Sequence, residues 1–272
     1  MTDTALVSRQ ERADARRAAA RSRAQRLGMA ILGWLVFLAI WLWGSAQFTG
    51  TVMPTPWLVA QEMWSIIVSG DFFSNFGWSV LKTALGFVVA ALFGAPIGYL
   101  MGRSRYWRAF FHDGVTVSGT IPALSYAVMS LIIFGISLQG PILAVALVSM
   151  PYIAINVAEG IRGVDQDLVG MSRAFGRTTR QIRRDVLYPS IVPFVFAGVR
   201  LAFALAWKVE ALTEVFGGSN GVGFEIRRSY QLFSIPGVLA WMFLFIAFML
   251  LVERFLLVRF ENRVLRWRPA ER

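Results

Sequence analysis

The sequence of 272 residues contains no cysteine, a single histidine (His112) and two lysines (Lys82 and Lys208). These absences exclude a disulfide framework, a thiolate nucleophile and any metal site built on Cys or His. Charge is also sparse. Asp, Glu, Lys and Arg make up 16% of the chain against 56% hydrophobic residues, and the mean hydropathy is +0.57. That is too apolar for a soluble domain of this length and places the chain in a bilayer. The net charge of +11 gathers in short segments between long uncharged stretches, which excludes a uniformly basic nucleic-acid binder. No carboxylates are spaced like a metal site.

What is abundant is apolar sequence in runs of membrane-crossing length. The stretch 27–46 matches the ~20 residues that cross a ~30 Å hydrocarbon core and reads as the first transmembrane helix. A cleavable signal peptide is the competing reading, since Gly44-Ser45-Ala46 supplies small residues after an apolar stretch. The run is long for that role, and further spans follow. These are expected at about Phe76 to Met101, Phe110 to Phe134, Pro141 to Glu159, Pro189 to Thr213 and Ile235 to Val258. Between the first two, in the segment 47–74, Thr55-Pro56 reads as a helix start and Gly70 as its stop. Trp57, Ala60, Trp64, Ile67 and Val68 share one face of that helix, which suits an amphipathic element on the membrane surface or a piece of packed loop.

Six spans put both termini on one side. Of the 27 Lys and Arg, 22 fall on that side: in the tail 1–26, the Gly102 to Arg108 loop, the loop 161–188 and the stretch from Glu253 into the tail 259–272. The opposite face holds Arg227 and Arg228. By the positive-inside rule, both termini and the long basic loop are cytoplasmic. Pro122, Pro151 and Pro193 fall within or near spans, where each removes a backbone donor and bends the helix. Gly86, Gly94 and Gly98 recur at multiples of four, a small-residue stripe for close helix packing.

The loop 161–188 parses as two short helices. Asp167 is read as the cap of the first, Leu168, Met171 and Phe175 as one apolar face of it, and Gly176 as its end. Thr178 and Gln181 have capping-box spacing at the start of the second, with Ile182 and Val186 on its apolar edge. Arg173, Arg177, Arg180, Arg183 and Arg184 point to water or to a partner. An apolar knob in a basic collar outside the membrane suggests docking.

Charges inside spans are costly, about 2.5 to 3.5 kcal/mol for Arg, Lys or Asp at a helix centre. Arg200, Lys208, Glu210 and Glu214 all lie on the fifth expected span. Arg200 and Lys208 are within roughly 80° on the helix wheel and can face the same side, offering positive charge to an anion if that side lines a pathway. Glu210 and Glu214 form an acidic strip that could instead neutralise Lys208 across helices. Structural ion pairing, substrate contact and snorkelling all remain open for these residues, with Pro122 as a further pathway candidate. Asp113 and Glu159 are expected to snorkel or pair with loop arginines, and Lys82 to reach the outer interface.

The loop resembles the cytoplasmic coupling loop of bacterial ABC importer permeases of the type I fold. That family's pattern is Glu-Ala-Ala, three residues, Gly, nine residues, an aliphatic residue, one residue, then Leu-Pro. Gly176, Val186 and Pro189 match at the family spacing, whereas Gly170-Met171-Ser172 stands in place of Glu-Ala-Ala and Tyr188 in place of Leu. Asp167, one turn earlier, is the candidate for the missing acid. Ser79 to Gly102, Thr120-Ile121-Pro122-Ala123 with Phe134-Gly135, Gly198-Val199-Arg200, Ala206-Trp207, and Glu214 with Gly221-Val222-Gly223 look like the nitrate, sulfonate and taurine branch.

The resemblance implies an all-α integral membrane fold with six transmembrane helices, a type I transmembrane domain over 75–258 and a coupling helix. It implies a bacterial inner-membrane location and an importer of a small anion such as nitrate, sulfonate or taurine. The chain's two lysines are preceded by Leu81 and Trp207, so it carries no phosphate-binding Gly-Lys-Ser/Thr loop. By the resemblance it holds no cofactor of its own and is not an enzyme. ATP and Mg belong to a partner ATPase dimer, docking on Asp167, Leu168, Met171, Arg173, Phe175 and Gly176. A periplasmic binding protein would deliver substrate to residues 47–75 and 214–235, a second permease copy would complete a homodimer, and lipid is the remaining partner. No nucleic acid is implied. Two other classes stand beside this reading. One is a self-sufficient secondary carrier or channel using the intramembrane charges. The other is a membrane-embedded enzyme, disfavoured by the lack of Cys, of a second His and of paired carboxylates at acid/base spacing.

Overall fold

A computed structural model describes residues 27–48 and 53–257, together with Gln25, Arg259 and Arg263. The remaining residues of the basic tails 1–26 and 259–272 lie outside the described residues. Every regular element among the described residues is helical: α1 (Leu27–Gln47), α2 (Pro56–Val68), α3 (Asp71–Arg103), α4 (Arg105–Thr120), α5 (Ala123–Phe134), α6 (Gln139–Arg162), α7 (Gln166–Ala174), α8 (Thr179–Ile182), α9 (Tyr188–Gly217), α10 (Val222–Gln231) and α11 (Ile235–Leu251). Five helical stretches are long and apolar enough to cross a membrane, and a sixth span is formed if α4 and α5 count as one.

The chain divides into two compact units, residues 1–61 and 62–272. In the first, α1 is apolar as far as Gly44, and the Trp41 indole N–H donates to the Pro54 carbonyl (3.0 Å). Thr55 caps the start of α2, its Oγ1 accepting from the Leu58 amide (3.3 Å).

In the second unit α6 is the central element. Its sequence is predominantly apolar and rich in Ala, Ile and Val, the pattern of a helix enclosed by others. Buried Ala144, Val145 and Val148 pack with Tyr126 and Ala127 of α5 and with Ala206 and Val209 of α9. Further along, Ile153 and Val157 meet Ala90 of α3 and Ala202 of α9. Ala154 and Ala158 then meet Met101 of α3 and Val115 of α4.

Within lipid, helix association rests on close van der Waals packing rather than on apolar burial, and α3 shows how that is achieved. Its glycine stripe lies directly on α6. A Cβ at Gly86 would come 2.8 Å from the Ile142 carbonyl oxygen, one at Gly94 2.8 Å from that of Met150, and one at Gly98 onto that of Ala154. Its large residues Leu85, Val88, Leu92 and Phe93 face outward, opposite the stripe of small ones.

The stretch Phe110 to Phe134, expected as one bent span, is instead two helices meeting at 94°. Pro122 forces the preceding Ile121 out of the helical region (φ −63°, ψ 129°). The carbonyls freed at the end of α4 find tyrosine donors. Tyr126 Oη donates to Ser118 O (2.8 Å) and Tyr152 Oη, from α6, to Gly119 O (3.3 Å), so these two carbonyls at the break are hydrogen-bonded.

Pro189 is accommodated differently. Residues Arg183–Leu187 form a widened π turn joining α8 to α9, in which the Tyr188 amide reaches back to the Arg183 carbonyl. The Ser190 hydroxyl donates to the Val186 carbonyl (2.7 Å). The proline's missing donor and ring bulk are absorbed without ending the helix.

Candidate functional site

Two groups of residues carry the chemistry of this chain: a short helix outside the spans and a buried polar knot on α9. The first is α7 and its surroundings. Asp165, rather than Asp167, caps it, the side chain accepting from the amides of Asp167 (2.8 Å) and Leu168 (3.4 Å). The reason is positional. Val164 is buried and anchors the chain, so the helix begins at Gln166 and leaves Asp167 in the first turn, exposed, where its charge suits the helix N-terminus. Phe175 follows the last turn, and Gly176 reverses the chain at φ +72°, a left-handed conformation that favours glycine. Thr178 and Gln181 complete a reciprocal capping box at the start of α8.

The rigid underside of this hairpin is Val164, Val169 and Ile182, buried together with Val186, Leu187 and Ile191 against it. The opposite side presents Leu168, Met171 and Phe175, the last 80% exposed. Arg173, Arg177, Arg180, Arg183 and Arg184 are all exposed on this hairpin, and Arg177 pairs loosely with Asp185 (3.4 Å). The apolar knob is thus exposed while Val164, Val169 and Ile182 beneath it are buried, which is the arrangement of a contact surface and not of a collapsed loop.

The second group is built around Glu214, whose side chain is fully buried. Lys82 Nζ of α3 forms an ion pair with Glu214 Oε1 at 2.7 Å and donates to the Asn220 carbonyl at 2.9 Å. The Ser79 hydroxyl donates to the Glu214 carboxylate (2.9 Å to each oxygen) and accepts from the Val222 amide (3.0 Å). The Gly223 amide donates to Glu214 Oε2 (2.8 Å), and Asn75 Oδ1 accepts from the Gly221 amide (3.0 Å).

Ser79 and Lys82 of α3 and the Gly223 amide are thus tied to one carboxylate, while Asn75, one turn earlier on α3, holds the Gly221 amide. Gly221, at φ +107°, and Gly223 are required by that closeness. A Cβ at Gly221 would collide with the Glu214 carboxylate, and one at Gly223 with the Ala211 carbonyl oxygen. The knot fixes the α9–α10 connection against α3 at one end of the bundle.

Several expectations for the intramembrane charges change here. Glu214 neutralises Lys82, not Lys208, and Lys82 is buried instead of reaching an interface. Glu210 is also fully buried, its two oxygens lacking hydrogen-bond partners among the described residues. Lys208 is exposed. Positions 208 and 210 lie about 200° apart on a helix, so one faces inward when the other faces out. Arg200 shares the outward side of α9 with Lys208 and pairs with Glu253 at 2.7 Å. The pair lies beside a cavity of about 360 Å³ between α9 and α11.

Pro122 sits at the α4–α5 break and touches none of these groups through a hydrogen bond or ion pair among the described residues. Asp113 and Glu159 form no ion pair with loop arginines within 4 Å among the described residues. Glu159 instead shares a cavity of about 80 Å³ with Arg108 and Arg162. The Lys82–Glu214 pair was missed from the sequence although a signal was present. Two opposite charges lay within spans, each needing a partner.

An all-helical, multi-pass bundle with close-packed spans, a broken third span and an apolar-tipped helix held outside them defines a membrane permease of the type I ABC importer fold. The chain belongs to the family of binding-protein-dependent transport system inner membrane components, whose profile matches residues 94–266. It is 30% identical over 237 residues to the SsuC protein of Bacillus subtilis (strain 168), described as an aliphatic sulfonates transport permease, with 86% of each chain covered. It is also 29% identical over 206 residues to the nitrate import permease protein NrtB of Synechococcus elongatus, covering 72% of this chain and 74% of that one. Among solved structures, a chain of the inward-facing MetNI methionine ABC transporter superposes with a TM-score of 0.58 at 21% identity, covering 78% of this chain and 98% of that one. A chain of an amino acid ABC transporter does so with a TM-score of 0.60 at 20% identity, covering 73% and 96%. The protein is an integral, multi-pass permease component of an ABC importer, a transport subunit and not a catalytic one.

Proposed function

We propose that this chain forms the translocation pathway of an ATP-driven importer for a small anion such as nitrate, a sulfonate or taurine, in the bacterial inner membrane. The observation that carries the coupling part of this reading is the exposed triad Leu168, Met171 and Phe175 on a doubly capped, well-packed hairpin. A partner ATPase dimer, holding ATP and Mg, docks on it. Asp167 and Arg173 supply the charged rim, and Gly176 supplies the turn that sets the angle of the knob. Closure of the ATPase dimer pushes α7 toward its symmetry mate in a second copy of the chain, and the rigid α8–α9 continuity transmits that push into the pathway helix.

The excess of arginine in the 161–188 loop and both tails supports a cytoplasmic position for these segments. The knot around Glu214 then lies toward the periplasm, where it holds the 214–235 segment firm for a substrate-delivering binding protein. The anion is supported by the names of the relatives and by Lys208, an exposed cation on the membrane-spanning α9 with no ion pair among the described residues.

Co-purification tests the docking. Tagged full-length chain should retain an ATP-binding subunit, and Phe175→Asp should lose it while leaving the chain folded. Undiminished recovery with Phe175→Asp would remove α7 as the docking element.

A further inference from the structure

Beneath α7, on the side away from its apolar knob, lies a cavity of about 560 Å³ in which four arginines surround an apolar floor of Ile161, Val164, Val169, Ile182 and Leu187. Arg103 reaches it from the end of α3, Arg162 from the end of α6, Arg173 from α7 and Arg183 from the turn after α8, with Gln166 and Thr179 between them. No carboxylate lines it among the described residues. Arg162, Arg173 and Arg183 make no ion pair there, and Arg103 donates to the Tyr99 hydroxyl, a neutral partner (3.2 Å). Arginines that merely mark a cytoplasmic face diverge into solvent. Here four of them, from four separate segments, converge on one hollow. The C-terminal ends of α3 and α6 each bring roughly half a negative charge, so a surplus of about three positive charges is left. Two of the arginines stand where spans leave the hydrocarbon, and two belong to the hairpin that carries the knob.

We propose that this cavity is a binding site for a phosphate-bearing anion, with the phosphodiester headgroup of an anionic phospholipid as its resident. Guanidinium groups match phosphate oxygens in paired hydrogen bonds, and basic hollows between helix ends on the cytoplasmic side of a membrane protein recognise such headgroups. The volume suits a headgroup, and the position at the foot of the spans brings one within reach. A bound phosphate bridges Arg103 and Arg162 on the bundle to Arg173 and Arg183 on the hairpin. It thereby fixes the angle at which α7 is presented. The proposal rests on the cytoplasmic placement of this loop, but it is read without the ATPase, so its failure leaves the docking assignment untouched.

The test uses the full chain purified in a neutral detergent. It is titrated separately with phosphatidylglycerol, phosphatidylcholine and inorganic phosphate, and binding is followed by native mass spectrometry and thermal shift. The unmodified chain should retain phosphatidylglycerol over phosphatidylcholine. Arg103→Gln with Arg162→Gln should weaken that retention on the order of 30-fold, while Arg180→Gln, outside the cavity, should leave it unchanged. Inorganic phosphate binding that the double variant abolishes, with no preference for phosphatidylglycerol, supports the site with a soluble source. Equal retention of the two lipids together with no phosphate binding overturns the proposal, as does equal loss in Arg180→Gln. A double variant that binds lipid normally but no longer recovers an ATPase also overturns it and assigns these arginines to the protein partner. If the double variant does not fold, Arg183→Gln, on the hairpin, carries the same comparison.

Discussion

Replacing Lys82 with methionine keeps the length and apolar stem of the side chain and deletes its charge. Glu214, fully buried and normally 2.7 Å from Lys82 Nζ, is then left without its cation. Breaking a buried pair from one side costs about 3–5 kcal/mol, because the surviving charge stays desolvated. The Asn220 carbonyl also loses its donor, worth about 1 kcal/mol. In the other direction, the Ser79 hydroxyl and the Gly223 amide still reach the carboxylate, which places the net loss near 3–4 kcal/mol. Glu214→Gln should cost a similar amount by stranding the ammonium. The double replacement removes both charges and should recover at least about 2 kcal/mol relative to the sum of the single losses. Trp207 and Trp241, both buried in the bundle, report unfolding by fluorescence during denaturant titration of the purified chain. Additivity within about 0.5 kcal/mol would refute the coupling on which the knot is argued.

Other outcomes follow from neighbouring geometry. Gly98→Leu forces a side chain onto the Ala154 carbonyl and should destabilise the α3–α6 contact by at least 1–3 kcal/mol, measurable in the same titration; an unchanged midpoint would contradict the packing. Lys208→Ala should lower uptake of the anion in whole cells while leaving ATPase co-purification intact, and loss of assembly would instead mark a structural role. At Glu225 on α10, burial raises the carboxyl above its ordinary value, Arg228 pulls it down and Asp71 pushes it up. A raised folded-state value means that the folded chain binds the proton more readily. Stability from this residue therefore grows as pH falls from neutral through that raised value and is lost as pH rises. Glu225→Gln should flatten this slope in thermal unfolding measured across pH, and an unaltered slope would point to other groups.

The spans were legible because lipid demands long apolar helices, and 27–46 and 235–258 announce themselves by hydropathy alone. The glycine stripe was legible for the same reason, since close packing in lipid needs small residues at helical spacing. The α7–α8 hairpin could be read from local rules: Gly176 at a left-handed turn and Thr178 with Gln181 as a capping box. The failures came where tertiary context chooses between local options. Asp165 and Asp167 are both competent caps, and burial of Val164 decides between them. Pro122 signals a bend but not its 94° size, which depends on Tyr126 and Tyr152 being in place to donate to the freed carbonyls. The partner of Glu214 could not be found along α9, because it lies 132 residues earlier on α3.

The absence of cysteine allows the central claim to be tested with one introduced thiol. Phe175→Cys or Leu168→Cys in the assembled transporter, treated in native membranes with a short thiol-reactive bifunctional crosslinker, gives a single reactive position on this chain. A crosslinked product joining the permease to an ATP-binding subunit is expected, with position 175 shielded from bulky maleimide until that subunit is stripped away. Free labelling of both positions in the intact transporter, with no crosslink to an ATPase, would contradict it.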